Sequence, residues 1–214
     1  MKNIKIVINS NINNFDTTSK KIKESKTYIE NKDSFIFIVG GSPQELRNGN
    51  TIYTQLNCFD LTGLVYILTN NGIVDEKELF FYCHDTCDFG DSFYEKMLEA
   101  AKDGLPKRLF INAIESMFIG LYDLAILNKF SSYILDYENT SNDFEVLNKI
   151  KSSLSSKESF ILRKYPHICS TRQDYEPTDV YKNGVVRKTE YFPDIDLYKF
   201  KANWFLKNKY EMRL

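Results

Sequence analysis

Cys83-His84-Asp85-Thr86-Cys87 gathers thiols, an imidazole, a carboxylate and a hydroxyl directly after the apolar run Leu79-Phe80-Phe81-Tyr82. An apolar strand that ends in such groups is how open α/β sheets present chemistry to a ligand at their strand ends. Alternate side chains of a strand share a face, so Cys83 and Asp85 point one way and His84 the other. Asp85 is a hard oxygen donor suited to Mg²⁺ or Mn²⁺ and, through such a cation, to a diphosphate. Two other readings stay open. Cys83, Cys87 and His84 are zinc-type donors, although the gap between the cysteines is poor for a structural site and no second Cys/His pair lies nearby. A buried cysteine next to an aspartate that hydrogen-bonds the following loop needs no ligand.

Further candidates lie along the chain. Gly40-Gly41 closes a second apolar run, where missing Cβ atoms permit close approach of a ligand or of backbone. It does not match the dinucleotide fingerprint, and no Gly-Lys-Ser/Thr phosphate loop occurs anywhere. Asn57 and Asp60 flank the end of a third strand and the start of a helix. Asp60 can cap that helix, or the pair can hold a base or ribose. In the tail, Asp194 and Asp196, then Lys199 and Lys201, recur at same-side strand spacing. The acids could add to a metal shell and the lysines could neutralise a leaving diphosphate, while a solvated, salt-bridged edge explains them as well. Glu115 sits in a stretch whose apolar members core packing explains. With only two histidines, His84 and His167, triad hydrolases drop out. No nucleophile elbow, His-Glu-x-x-His or kinase signature is present.

The elements that must position these groups follow from hydrophobic periodicity. Continuous apolar strands are expected over residues 4–9 and 34–39, with further strands over 51–56, 78–83 and 108–112. Helices are expected over 20–30, 61–70 and 93–102, and mostly helical pattern from 121 to 156 with a break near Asn139-Thr140-Ser141. Buried strands alternating with helices imply a parallel sheet covered on both faces. Asn183-Gly184, set between β-formers, signals a C-terminal hairpin. No repeat or low-complexity linker divides the chain, so a single domain over residues 1–214 is expected.

Composition narrows the function classes. The chain has 214 residues, is 43% hydrophobic, and carries 28 basic against 29 acidic side chains, for a formal net charge of -1. That balance argues against a nucleic-acid partner, which wants a clearly basic face. No apolar run reaches the roughly 20 residues of a membrane span, and the first strand is too short for a signal-peptide core. Four cysteines are too sparse for a disulfide framework. A soluble, cytoplasmic protein is expected.

The order of features resembles a known family. A nucleotide-type strand runs from Ile4 to Asn9, a second ends at Gly40-Gly41, Asn57-Cys58-Phe59-Asp60 opens a helix, and a strand ends in His84-Asp85-Thr86. Together with the ending Asp196-Leu197-Tyr198-Lys199-Phe200-Lys201-Ala202-Asn203-Trp204, this resembles a compact GT-A glycosyltransferase, especially the small domains encoded by large DNA viruses. The resemblance implies a Rossmann-like α/β domain with a mostly parallel central sheet, flanking helices and a C-terminal β-hairpin. It implies a nucleotide diphosphate sugar donor, commonly a UDP-sugar, with Mn²⁺ or Mg²⁺ at an Asp-x-Asp-type strand end. Here that motif keeps one carboxylate: by the resemblance Asp85 would be the metal ligand with Cys83 in the partner position, the better of two alignments, or the first carboxylate of the pair with Cys87 in the partner position. Asn9, Ser10, Asn57 and Asp60 would line the uridine pocket, with Gly40 close by. His84, Lys199 and Lys201 would complete the donor-binding set. Asp88, Asp91 and Glu115 are the candidate bases for an acceptor hydroxyl on a glycan or glycoprotein, in the host cytoplasm if the source is viral. The competing expectations are a nucleotidyltransferase-like phosphate-transfer enzyme and a non-catalytic nucleotide-sugar-binding domain.

Overall fold

The computed structural model describes residues 4–109, 119–135, 164–169, 173–175 and 185–203. Its centre is a seven-stranded sheet in the order β3-β4-β2-β1-β5-β8-β7. The inner strands β1 (Lys5–Asn11), β2 (Phe35–Gly40), β4 (Thr51–Tyr53) and β5 (Phe80–His84) are parallel. At the edges, β3 (Leu46–Asn48), β8 (Gly120–Tyr122) and β7 (Lys107–Arg108) run antiparallel to their neighbours.

The apolar runs are continuous because both faces of the sheet are buried. Ile6, Ile8, Phe35, Phe37, Phe81 and Cys83 point into one core, which also receives Phe15 and Ile22 of α1 (Phe15–Glu24) and Phe93 and Met97 of α4 (Phe93–Ala100). Val7, Ile36, Ile38, Phe80 and Tyr82 point into the other, beneath α3 (Thr62–Thr69) and α5 (Leu124–Leu135). Helix α1 buries Phe15, Thr18, Ser19 and Ile22, one stripe at helical spacing, and leaves Lys20 and Lys23 exposed.

A second sheet, β6-β11-β10-β9, packs on the first core. It comprises β6 (Cys87–Phe89), β9 (Gln173–Tyr175), β10 (Val185–Phe192) and β11 (Leu197–Asn203). Edge-to-face rings tie it to the centre: Phe35 to Phe89 at 5.5 Å and Phe89 to Phe93 at 4.7 Å. The β10–β11 pair forms a C-terminal hairpin that turns at residues 193–196, while the hairpin signal at Asn183-Gly184 lies outside the described residues. Asp196 carries the positive φ of that turn, 51°, and accepts hydrogen bonds from the Ser92 amide and hydroxyl at the start of α4.

Several boundaries differ from the sequence expectation. The polar helix over 20–30 is two helices, α1 and α2 (Lys26–Asn31), broken at Ser25, whose hydroxyl caps the second by accepting from the Tyr28 amide. The third strand stops at Tyr53 because the chain then wraps the glycine corner, with Gly41 N–H bonding Leu56 O and Ser42 N–H bonding Thr54 O. Strand β3 was not anticipated; it folds back through Gly49, at φ 58°. The strand over 108–112 is described only as the short β7, and the break near residue 139 lies outside the described residues.

Candidate functional site at the β1–β5 crossover

From β1 the chain builds outward to β2 and β4 on one side and then crosses to place β5 on the other. The carboxyl ends of β1 and β5 therefore flank the point where strand order reverses, which is where open α/β sheets form a ligand crevice. Pairing of Asn9 with His84 sets the register there, and the Asp85 amide extends it by donating to Asn9 O at 2.9 Å.

Polar side chains fill both faces of this end. On the α1 face, the Asp85 carboxylate reaches across the crossover. Its Oδ2 accepts from the Ser10 hydroxyl at 2.5 Å and the Thr18 hydroxyl at 3.0 Å. On the α3 face, Asn9 Oδ1 accepts from the Gly63 amide at 2.7 Å and so fastens the first turn of α3 to β1. The Tyr82 hydroxyl donates to Asp60 O at 2.9 Å, and the His84 ring lies against the same residue, Nε2 3.2 Å from its carbonyl and Nδ1 3.7 Å from its carboxylate. Asp60 is thus held by His84 rather than serving as the helix cap. The cap-like bond comes from Cys58 N–H to the Thr62 hydroxyl at 2.9 Å.

Gly40 is enclosed by protein: a Cβ there would lie 2.8 Å from Leu56 O and 2.8 Å from Thr62 Cγ2. Beside it, Asn11 Nδ2 donates to Asn57 Oδ1 at 3.2 Å, joining the ends of β1 and the β4–α3 connection. Asn9, Ser10, Asp60, His84 and Asp85 accordingly meet at one end of the sheet, with Gly40 and Asn57 at its glycine corner.

Lys199 arrives from the second sheet. Strand β11 pairs Lys199 with Cys87, and Phe200 N–H donates to Thr86 O at 2.9 Å. The ammonium is buried and hydrogen-bonds the Thr86 hydroxyl, close enough for its charge to act on Cys83, Asp85 and Cys87. Burial raises the Asp85 carboxyl above its usual range, with Asp60 adding to that. The Ser10 and Thr18 hydroxyls and the Lys199 charge pull the other way without cancelling it. Burial also pushes the Cys83 thiol well up, reinforced by its hydrogen bond with Cys87. For Cys87 burial acts upward too, but the bond from Cys83 and the Lys199 ammonium prevail and lower it.

No family model, curated protein or solved structure matches this chain.

The donor set at Asp85 does not fit a resident Mn²⁺ or Mg²⁺. A single carboxylate projects there, two hydroxyl donors occupy its Oδ2, its burial favours the neutral form, and a lysine ammonium stands nearby. Among the described residues, no group of three His, Cys, Asp or Glu side chains could hold a metal ion. That covers the zinc alternative as well: Cys83 and Cys87 bond each other on the α1 face while His84 lies against Asp60.

The candidate bases are dispersed. Asp88, on β6, is ion-paired to Lys21 of α1 at 2.5 Å; Asp91 is exposed ahead of α4; Glu115 lies outside the described residues. The side chain of Lys201 is likewise outside them. Two participants escaped the sequence reading. Thr18 had one visible signal, a hydroxyl falling in the buried Phe15/Ile22 stripe of an otherwise polar helix. Asn11 had none beyond its place at a strand end.

Proposed function

We propose that the crevice at the carboxyl ends of β1 and β5 binds a nucleotide diphosphate sugar, most naturally a UDP-sugar. On this reading the chain is a glycosyltransferase that passes the sugar to a hydroxyl of a glycan or protein acceptor. The observation that carries the reading is the Asp85–Ser10 hydrogen bond across the strand-order reversal, which concentrates hydroxyl, amide, imidazole and carboxylate groups where a nucleotide would lie. Asn57 and Asp60 at the start of α3 suit a base and ribose, which need planar donors and acceptors at fixed positions. Substitution at the anomeric carbon then needs positive charge beside the departing diphosphate and a base beside the acceptor hydroxyl.

A thermal-shift panel of nucleotides and nucleotide sugars tests it. A ligand present at 100 times its dissociation constant adds about 2.7 kcal/mol of stability, so UDP or a UDP-sugar should raise the melting temperature of the native chain and not of Asp85→Ala. If no nucleotide produces a shift and Asp85→Ala behaves as the native chain does, the proposal fails. A second reading, a nucleotide-sugar-binding domain without chemistry, is favoured by the Lys21 ion pair that engages Asp88. Binding without UDP release from any UDP-sugar, acceptor supplied, would select it.

A further inference from the structure

We infer that Lys199, delivered by the second sheet, supplies the positive charge for a bound diphosphate, so that nucleotide binding in this crevice needs no divalent cation; the inference rests on the nucleotide reading of the crevice. Lys199 is 8% exposed, an unusual setting for a lysine, because a buried cation is costly unless an anion accompanies it. Among the described residues its ammonium has no carboxylate within ion-pair distance, and its hydrogen bond goes to the neutral Thr86 hydroxyl. Of the buried acids nearby, Asp85 is turned to Ser10 and Thr18 instead, and Glu190, directly across the β10–β11 pair and fully buried, makes no ion pair with Lys199. An ammonium carries three donors, so one bond to Thr86 leaves capacity for phosphate oxygens.

The placement is built rather than incidental. The Lys199–Cys87 pairing and the Phe200 N–H bond to Thr86 O lock β11 against the turn that follows Asp85. The charge is thereby fixed one residue beyond the carboxylate at the crossover. The Asp60 carboxylate, which already acts on Asp85, would otherwise repel a diphosphate at this strand end, and Lys199 is positioned to offset it.

The test is calorimetric titration of the full chain with UDP, once in EDTA and once in Mn²⁺, alongside uridine as the ligand without phosphates. UDP affinity should agree within about a factor of two between the two conditions. Lys199→Met should weaken UDP by about tenfold or more while leaving uridine unchanged, and Lys199→Arg should keep most of the affinity. UDP binding lost in EDTA and restored by Mn²⁺ would overturn the inference and leave the nucleotide site standing. So would an unchanged UDP affinity in Lys199→Met. Failure of both UDP and uridine to bind under either condition would remove the nucleotide reading itself. The EDTA comparison uses the native chain, so it decides the matter even where Lys199→Met does not fold.

Discussion

Asp85 shows how one side chain can be costly to the fold and still be held in a fixed place by it. Its carboxyl titrates above the ordinary 3.8 because burial penalises the charged form more than the Ser10 and Thr18 hydroxyls reward it. A group that binds its proton more tightly when folded lowers stability as pH rises from its unfolded value through the raised folded one. Asp85→Asn keeps an acceptor for both hydroxyls and removes that loss. The melting temperature of the variant should therefore exceed that of the native chain progressively as pH climbs from about 3.8 through that window, and parallel melting curves would refute the assignment. Thr18→Val retains the buried shape of α1 but deletes a donor to a charged group. It should cost about 1.5 kcal/mol by denaturant unfolding and move the Asp85 window upward, since one bond favouring the carboxylate is gone.

At the scale of elements, the site depends on how closely strand ends approach helix starts. Asn9 ties β1 to the first turn of α3, and Gly40 lets β2 end against that same turn. Gly40→Ala would drive a methyl group to 2.8 Å from both Leu56 O and Thr62 Cγ2. Overpacking of this kind costs about 1–3 kcal/mol. At about 2–4 °C per kcal/mol for a chain of this size, the melting temperature should fall by several degrees, and nucleotide affinity should fall with it. An unchanged melt would mean that the corner has slack the packing does not show. The hairpin turn obeys similar logic: Asp196 holds Ser92 and Tyr191, and although burial acts upward on its carboxyl, those bonds lower it overall.

For the molecule as a whole, the second sheet is an integral part of the fold. Phe192, Ile195 and Leu197 share a core with Ile6, Ile8 and Phe35 of the central sheet, and β11 carries Lys199 to the strand end. Leu197 is fully buried, so Leu197→Ala should cost about 2–5 kcal/mol. Because the core is shared, far-ultraviolet and near-ultraviolet circular dichroism should report one coincident transition. Two separated transitions would show that the sheets fold as independent units.

The sequence alone determined the elements whose pattern is local. The apolar runs of β1, β2 and β5 announce strands buried on both faces, and the helical stripes between them require a covered, mostly parallel sheet. The polar end of β5 put His84 and Asp85 among the candidates from the sequence itself, whereas Asn9 and Ser10 entered only through the family resemblance. Tertiary structure decided what those residues touch, since contact between positions far apart in the chain has no local signature. It paired Asp85 with Ser10 and Thr18, turned Asp60 from helix cap to histidine partner, set a hairpin turn at Asp196, and brought Lys199 from the distant tail to Thr86. Register and crossover fix such encounters, and both emerge only when two buried faces pack at once.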